Sequence, residues 1–92
     1  MGWSVEFGRA ATKNIKKLPT PIRKILHLLA KEIETCGPTR GNWPNYGKLD
    51  RKRHHCHLKK GNPTYVAVWE VADKKIKLVE VSYVGTHEKA PY

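Results

Sequence analysis

The feature that most constrains this 92-residue sequence is one long amphipathic stretch with helix signals at both ends. Its apolar residues recur at spacings of three and four, which predicts one continuous stripe along a helix. The stripe consists of Ile22, Ile25, Leu26, Leu29 and Ile33. Thr20 before Pro21 is typical of a helix cap followed by the first helical residue, and Gly37-Pro38 ends the helix. A helix with one apolar face must pack on a second layer.

Three segments after this helix have the alternating or β-branched patterns of strands, and short turns join them. We predict strands over residues 52–59, 64–71 and 75–84. The turns Lys60-Gly61-Asn62-Pro63 and Ala72-Asp73-Lys74 are short enough for hairpins. The three strands should therefore be antiparallel.

The N-terminal part adds one strand and one short basic helix. Residues 3–7 alternate between apolar and polar, and residues 9–18 have helical spacing up to Pro19. Residues 37–50 lack periodicity and predict a long loop, and the tail from residue 85 to residue 92 looks irregular. The order β-α-α-β-β-β predicts one α+β domain over residues 1–92. In it, two N-terminal helices pack on one face of a mostly antiparallel four-stranded sheet and leave the other face open.

The net charge narrows the class of partner. Lys and Arg number 18 against 8 Asp and Glu, which gives +10 with the histidines neutral. Such a charge is typical of proteins that bind polyanions. No apolar run approaches the roughly 20 residues of a membrane span, and no secretory signal is evident, so we expect a cytoplasmic protein without a membrane partner. Cys36 and Cys56 lack Cys-x-x-Cys spacing and are interpreted as reduced thiols.

The run His54-His55-Cys56-His57 lies inside the densest basic segment. Successive side chains of a strand point to opposite faces. Alternation predicts His55, His57 and Lys59 on the open face, and His54, Cys56 and Leu58 toward the helices. The predicted phosphate-binding residues around them are Lys48, Arg51, Lys52, Arg53, Lys59 and Lys60. In the preceding loop, Trp43 and Tyr46 either stack on bases or close the edge of the core.

His87 and Tyr92 follow the strand that pairs beside the histidine run, so His55, His57, His87 and Tyr92 should converge. Histidines with pKa values near neutrality can act as acid and base, and nearby cations can stabilise a phosphorane-like transition state. The group therefore suits cleavage of RNA through its 2′-hydroxyl, without a metal or other cofactor. A zinc site is the alternative, with His87 as third ligand, but the surrounding cations disfavour a dication.

The sequence resembles the RelE/ParE superfamily of bacterial toxin–antitoxin toxins over nearly its whole length. The resemblance depends on element order, size and basic charge, and on two segments, Tyr65-Val66-Ala67-Val68-Trp69-Glu70-Val71 and Val84-Gly85-Thr86-His87-Glu88. The tail through Pro91-Tyr92 is similar to RelE-, HigB- and YafQ-like toxins. The resemblance implies a ribosome-dependent mRNA endoribonuclease that inhibits translation, with a cognate antitoxin protein, mRNA and the ribosome as partners.

The resemblance also implies roles for individual residues. His87 matches the general acid, either His55 or His57 is the base, and Tyr92 matches the C-terminal tyrosine. RelE has an arginine where this chain has Val66, so Lys59 or Lys60 would contact the phosphate instead. Two other functions remain open at this point: a ParE-like inhibitor of DNA gyrase without catalysis, and a non-enzymatic RNA-binding module.

Overall fold

A computed structural model describes residues 2–92. The elements run in the order β1 (Ser4–Phe7), α1 (Arg9–Ile15), α2 (Thr20–Cys36), β2 (Gly47–Lys48), β3 (Arg53–Lys59), β4 (Tyr65–Asp73), β5 (Leu78–Thr86) and a 3-10 helix (His87–Lys89). The α+β prediction is confirmed, with both helices before the main strands.

The sheet has five strands in the order β1-β5-β4-β3-β2, so the predicted four strands and the predicted chain order are wrong. The additional strand is β2, which pairs antiparallel with β3 inside the predicted loop. A two-residue strand has no measurable alternation, so the sequence gives no signal for it. The β3-β4 and β4-β5 pairs are antiparallel as predicted, and β1 pairs parallel to β5.

Both helices pack on one face of the sheet. Leu26, Leu29 and Ile33 of α2 are fully buried and belong to one core cluster with residues of the sheet. Trp69 of β4 is the largest fully buried side chain, and its indole N–H donates to the Pro38 carbonyl oxygen at 2.8 Å. This bond fixes the chain that leaves α2 against the sheet.

Several boundaries differ from the prediction. The first helix ends at Ile15 rather than residue 18, and Leu18 is buried in the irregular turn before Pro19. Pro19 has no N–H to donate to the Ile15 carbonyl oxygen, which instead accepts from the Leu18 N–H in a tighter turn, so the helix ends early. The second helix includes Thr20, and Pro19 is its N-cap. The strands predicted over 64–71 and 75–84 end later, so Gly85 belongs to β5.

The strand β5 contains a bulge that decides which residues face the open side. Trp69 pairs with Val81 and Val68 pairs with Tyr83, so Ser82 is the extra residue. A bulge shifts the alternation by one residue. As a result Val81 and Val84 both enter the core, and Tyr83 lies on the open face.

Candidate functional site

The open face of the sheet carries two cross-strand rows. One row joins His55, Val68 and Tyr83, and the next joins His57, Val66 and Gly85. Residues directly opposite each other on neighbouring strands share a face. The two valines are fully buried, so they form an apolar floor beneath the polar side chains of the rows.

The alternation predicted for β3 holds at its first positions. His54, Cys56 and Leu58 are buried toward the helices, whereas His55 and His57 are partly exposed on the open face. The register then shifts between His57 and Lys59, which brings Lys59 opposite Tyr65. Since Tyr65 packs against the core side, the prediction that Lys59 shares the face of the two histidines is wrong.

The structure brings His55, His57, His87 and Tyr92 together. The ring centroids of His55 and Tyr92 are 4.7 Å apart, and those of His57 and His87 are 5.7 Å apart. The His87 and Tyr92 centroids are 5.9 Å apart, with the rings nearly perpendicular. Three separate parts of the chain thus supply one cluster of titratable side chains.

The backbone around His87 is held by hydrogen bonds on two sides. The His87 N–H donates to the Thr64 carbonyl oxygen at 2.8 Å. One residue earlier, the Thr86 carbonyl oxygen accepts a bond from the Tyr83 hydroxyl at 2.7 Å. These bonds fix the start of the 3-10 helix and therefore the point from which the His87 side chain extends.

A cleft of about 380 Å³ opens beside this cluster. His57 and His87 line it together with Glu88 and the turn between β3 and β4, residues 61–64. No sequence signal selects Glu88 or Asn62, because their place in the cleft depends on how the turn meets the tail. The cleft is open to solvent, and its volume is large enough to admit a phosphate group beside the two histidines.

Burial lowers the pKa of both strand histidines. For His55 the burial is reinforced by the nearby charge of His87. For His57 the charges of His87, Lys60 and His55 reinforce it in that order. The Nδ1 atoms of both rings are buried without a hydrogen-bond partner among residues 2–92. A protonated ring would bury an unsatisfied N–H, so the neutral form is favoured.

Tyr92 of the cluster and the neighbouring Tyr83 stay protonated at neutral pH. Burial raises the pKa of Tyr92, and the nearby Cys56 and Tyr83 raise it further. Burial also raises the pKa of Tyr83, against the lowering effect of its hydrogen bond to Thr86. The Tyr92 phenol can therefore donate a hydrogen bond to an anion, whereas the Tyr83 proton is already donated to the Thr86 carbonyl oxygen.

The predicted phosphate-binding residues divide between two places. Lys60 lies close enough to His57 to lower its pKa. Lys48, Arg51 and Lys52 instead line a cavity that they share with His54, away from the open face. Arg53 is also on the open face, but its Nε donates to Asp50 Oδ2 at 2.8 Å.

Trp43 and Tyr46 lie against the core. The Trp43 indole N–H donates to Glu32 Oε1 at 3.0 Å, and the Tyr46 hydroxyl bonds to His54 Nδ1 at 2.6 Å. Tyr46 also packs on Trp69 with ring centroids 6.2 Å apart. Of the two interpretations left open by the sequence, this geometry favours the one in which both residues close the edge of the core.

The open face is electrostatically divided. Glu6, Glu80 and Glu70 stand opposite one another on three neighbouring strands, with Arg53 next in the row. Three of the eight acidic residues therefore lie at the end of the face away from the histidine cluster. This row disfavours phosphate, so a polyanion on this face is directed toward His57 and His87.

Among residues 2–92, no three His, Cys, Asp or Glu side chains are placed to bind one metal ion together. Within the same residues, no helix is long and apolar enough to cross a membrane.

Comparison with solved structures identifies the fold. The YoeB dimer of Staphylococcus aureus matches with a TM-score of 0.72 at 16% identity, over 95% of this chain and 99% of that one. The chain has the fold of the RelE toxins. A mutant of Escherichia coli RelE in the free state matches with a TM-score of 0.72 at 23% identity, over 98% and 88% of the two chains. RelE in the RelE–RelB complex of Pyrococcus horikoshii matches with a TM-score of 0.70 at 14% identity, over 98% and 100%.

The RelE fold thus confirms, at the level of structure, the resemblance stated from the sequence. No family model matches the sequence, and no curated protein matches it. The likeness lies in the fold, and the function must be argued from the side chains that this chain places on it.

Proposed function

We propose that this chain is the toxin of a type II toxin–antitoxin pair and that it cleaves mRNA on the ribosome without a metal ion. The observation that supports the proposal most strongly is the pair His57 and His87. They line one cleft, with His57 on β3 and His87 at the start of the 3-10 helix. A lysine, Lys60, stands beside the pair. Acid, base and a charge for the phosphate therefore occur within one open site.

The burial of His57 supports its assignment as the general base. A general base must be unprotonated before the reaction, and the lowered pKa of His57 favours that form. His55 also has a lowered pKa, but its ring packs on Tyr92 and does not line the cleft. We therefore assign His57 as base and His87 as general acid, with His55 and Tyr92 positioning the substrate or the acid.

The reaction needs only groups of this chain and of the RNA. His57 removes the proton of a 2′-hydroxyl, and the freed oxygen attacks the adjacent phosphorus. The bond from phosphorus to the 5′-oxygen breaks, and His87 gives its proton to that leaving oxygen. Lys60 stabilises the extra negative charge of the phosphorane-like transition state. The products carry a 2′,3′-cyclic phosphate and a 5′-hydroxyl.

The proposed partners follow from the fold and from the shape of the site. The cleft is shallow and open, so a further surface must hold the RNA in line, and the ribosome would supply it in the cytoplasm. Solved relatives include the intact RelBE toxin–antitoxin complex of E. coli, which supports a cognate antitoxin for this chain. A +10 charge suits an acidic antitoxin segment that covers it.

Mapping RNA ends after induction tests the proposal. Cleavage should produce 5′-hydroxyl ends in mRNA, and a 2′-deoxy substitution at the cleaved position should abolish it. His57→Gln should reduce the rate about 10²-fold or more, the usual contribution of a general base, whereas His55→Gln should reduce it much less. The two variants carry the same substitution, and both positions lie on β3.

His87→Ala should relieve growth arrest and keep binding to the antitoxin. A His87→Ala protein as toxic as the wild type would contradict the assignment of the acid. Intact mRNA during growth arrest would contradict cleavage altogether and would point to a target such as gyrase.

A further inference from the structure

A second cavity, also of about 380 Å³, lies on the other side of β3 from the histidine cleft. Its apolar wall comes from Trp3, Pro38 and Val71, which belong to the start of the chain, the end of α2 and β4. His54 lines the same cavity, and its side chain faces away from His55. The sheet therefore separates this cavity from the proposed cleavage site.

Four cationic side chains surround the cavity, and no acidic residue lines it. They are Lys48, Arg51, Lys52 and Lys74. They come from two distant segments, the β2-β3 region and the turn after β4. The ion pairs found among residues 2–92 involve Arg40 and Arg53, so none of these four cations makes a direct ion pair in the described chain. Asp50 is the acidic residue whose charge reaches His54. A bound anion would reduce the mutual repulsion of the four cations.

His54 gives the cavity a fixed polar group. Its side chain is only 3% exposed, and the Tyr46 hydroxyl holds its Nδ1 atom at 2.6 Å. The ring is stacked on Trp69, with centroids 5.8 Å apart and planes inclined by 5°. Burial lowers the pKa of His54. With the Tyr46 hydroxyl donating to Nδ1, the neutral ring carries its proton on Nε2, where it can donate to a ligand.

We propose that this cavity binds a nucleotide, with its base against Trp3 and its phosphate among the four cations and His54. An indole beside a set of cations matches a planar base joined to a phosphate. The carboxylates of an acidic peptide would satisfy the charges but would leave the apolar wall uncovered. The nucleotide is either free or one unit of an RNA strand that is held away from the scissile bond.

Titration of the full chain followed by NMR of the tryptophan indole groups tests the site directly. The probes are AMP and a 2′-O-methyl tetranucleotide, which lacks the hydroxyl needed for cleavage. The Trp3 indole signal should shift and saturate, whereas that of Trp43 should move less because its indole N–H donates to Glu32 and Trp43 does not line the cavity. Saturation by AMP identifies a free nucleotide as sufficient, and saturation by the tetranucleotide alone identifies an RNA strand. An unmoved Trp3 signal with both probes would overturn the proposal.

Matched double variants separate this site from general attraction of charge. Arg51→Ser/Lys74→Ser removes two cavity cations, and Lys13→Ser/Lys16→Ser removes two exposed cations at the C-terminal end of α1. The first should weaken tetranucleotide binding about tenfold or more and reduce the salt slope by up to about 0.7, the contribution of the one single-strand phosphate that these cations hold. The second should change the dissociation constant less than about twofold. Equal losses of tetranucleotide affinity in the two double variants would overturn the proposal. Tighter binding of a poly-glutamate peptide than of either probe would also overturn it.

Nucleotide binding in this cavity does not depend on the proposed cleavage. His57→Gln lies on the opposite face of β3 and should bind the tetranucleotide at Trp3 as the wild type does. Failure of cleavage and failure of nucleotide binding can therefore be told apart.

Discussion

Gly85 occupies a position in β5 where a methyl group has no room. A Cβ atom built there would lie 2.7 Å from the Tyr83 hydroxyl oxygen and 3.0 Å from the ring carbon that bears it. Both distances are shorter than ordinary van der Waals contact. The substitution Gly85→Ala should therefore move the Tyr83 ring and break its hydrogen bond to the Thr86 carbonyl oxygen.

The size of the effect follows from three contributions. Loss of one partly buried hydrogen bond costs about 1 kcal/mol, and overpacking costs about 1–3 kcal/mol. Replacement of glycine by alanine stabilises by about 0.4–1 kcal/mol through the unfolded chain. Gly85 is not among the residues with positive φ, so no backbone strain is added. We expect Gly85→Ala to lower the free energy of unfolding by about 1–3 kcal/mol.

Urea unfolding measures this change, and a domain of this size should lose at least about 4 °C in melting temperature. Since Thr86 precedes His87, the displaced ring should also disturb the proposed general acid, and we expect the proposed cleavage to fall about tenfold or more. The control is the same substitution in a Tyr83→Ser background. There the ring is absent, so Gly85→Ala should be neutral or stabilising.

A Gly85→Ala protein at least as stable as the wild type would refute the placement of the Tyr83 ring over Gly85. An equal loss with and without Tyr83 would show that the ring is not the cause.

Two further predictions concern buried titratable groups. Because the pKa of His54 is lowered in the folded state, the unfolded chain binds more protons as the pH falls below about 6.5. Stability should therefore decrease with acidification through that range, and His54→Phe should weaken this dependence; parallel curves of unfolding free energy against pH would contradict it. Burial raises the pKa of the Cys56 thiol to about 12. Iodoacetamide should therefore modify the exposed Cys36 and spare Cys56 in the native protein, and mass spectrometry of two alkylated cysteines under native conditions would count against this.

The parts of the fold that repeat along the chain could be predicted from the sequence. The stripe of α2 extends over several turns, and its buried residues Leu26, Leu29 and Ile33 are those that the periodicity selects. The alternation in β3 likewise assigned Cys56 to the core and His57 to the open face. Long patterns average over many side chains, so a local exception does not obscure them.

The single-residue departures from these patterns could not be predicted. The bulge at Ser82 places Tyr83 on the open face, and the register shift after His57 turns Lys59 away from it. One extra residue in a strand leaves no compositional mark, yet it exchanges the two faces for all residues that follow. We therefore propose Lys60, which lies near His57, rather than Lys59 for the phosphate contact.

The sequence by itself determined the α+β class and the basic charge, and it singled out the candidate residues for acid–base chemistry. Only the tertiary structure decided how they are combined. It joined His57 and His87 across one cleft, but it placed Lys48, Arg51 and Lys52 with His54 beyond the sheet. The physical reason is that neighbours along a strand point to opposite faces, so a segment that is dense in sequence is divided between two sites in space.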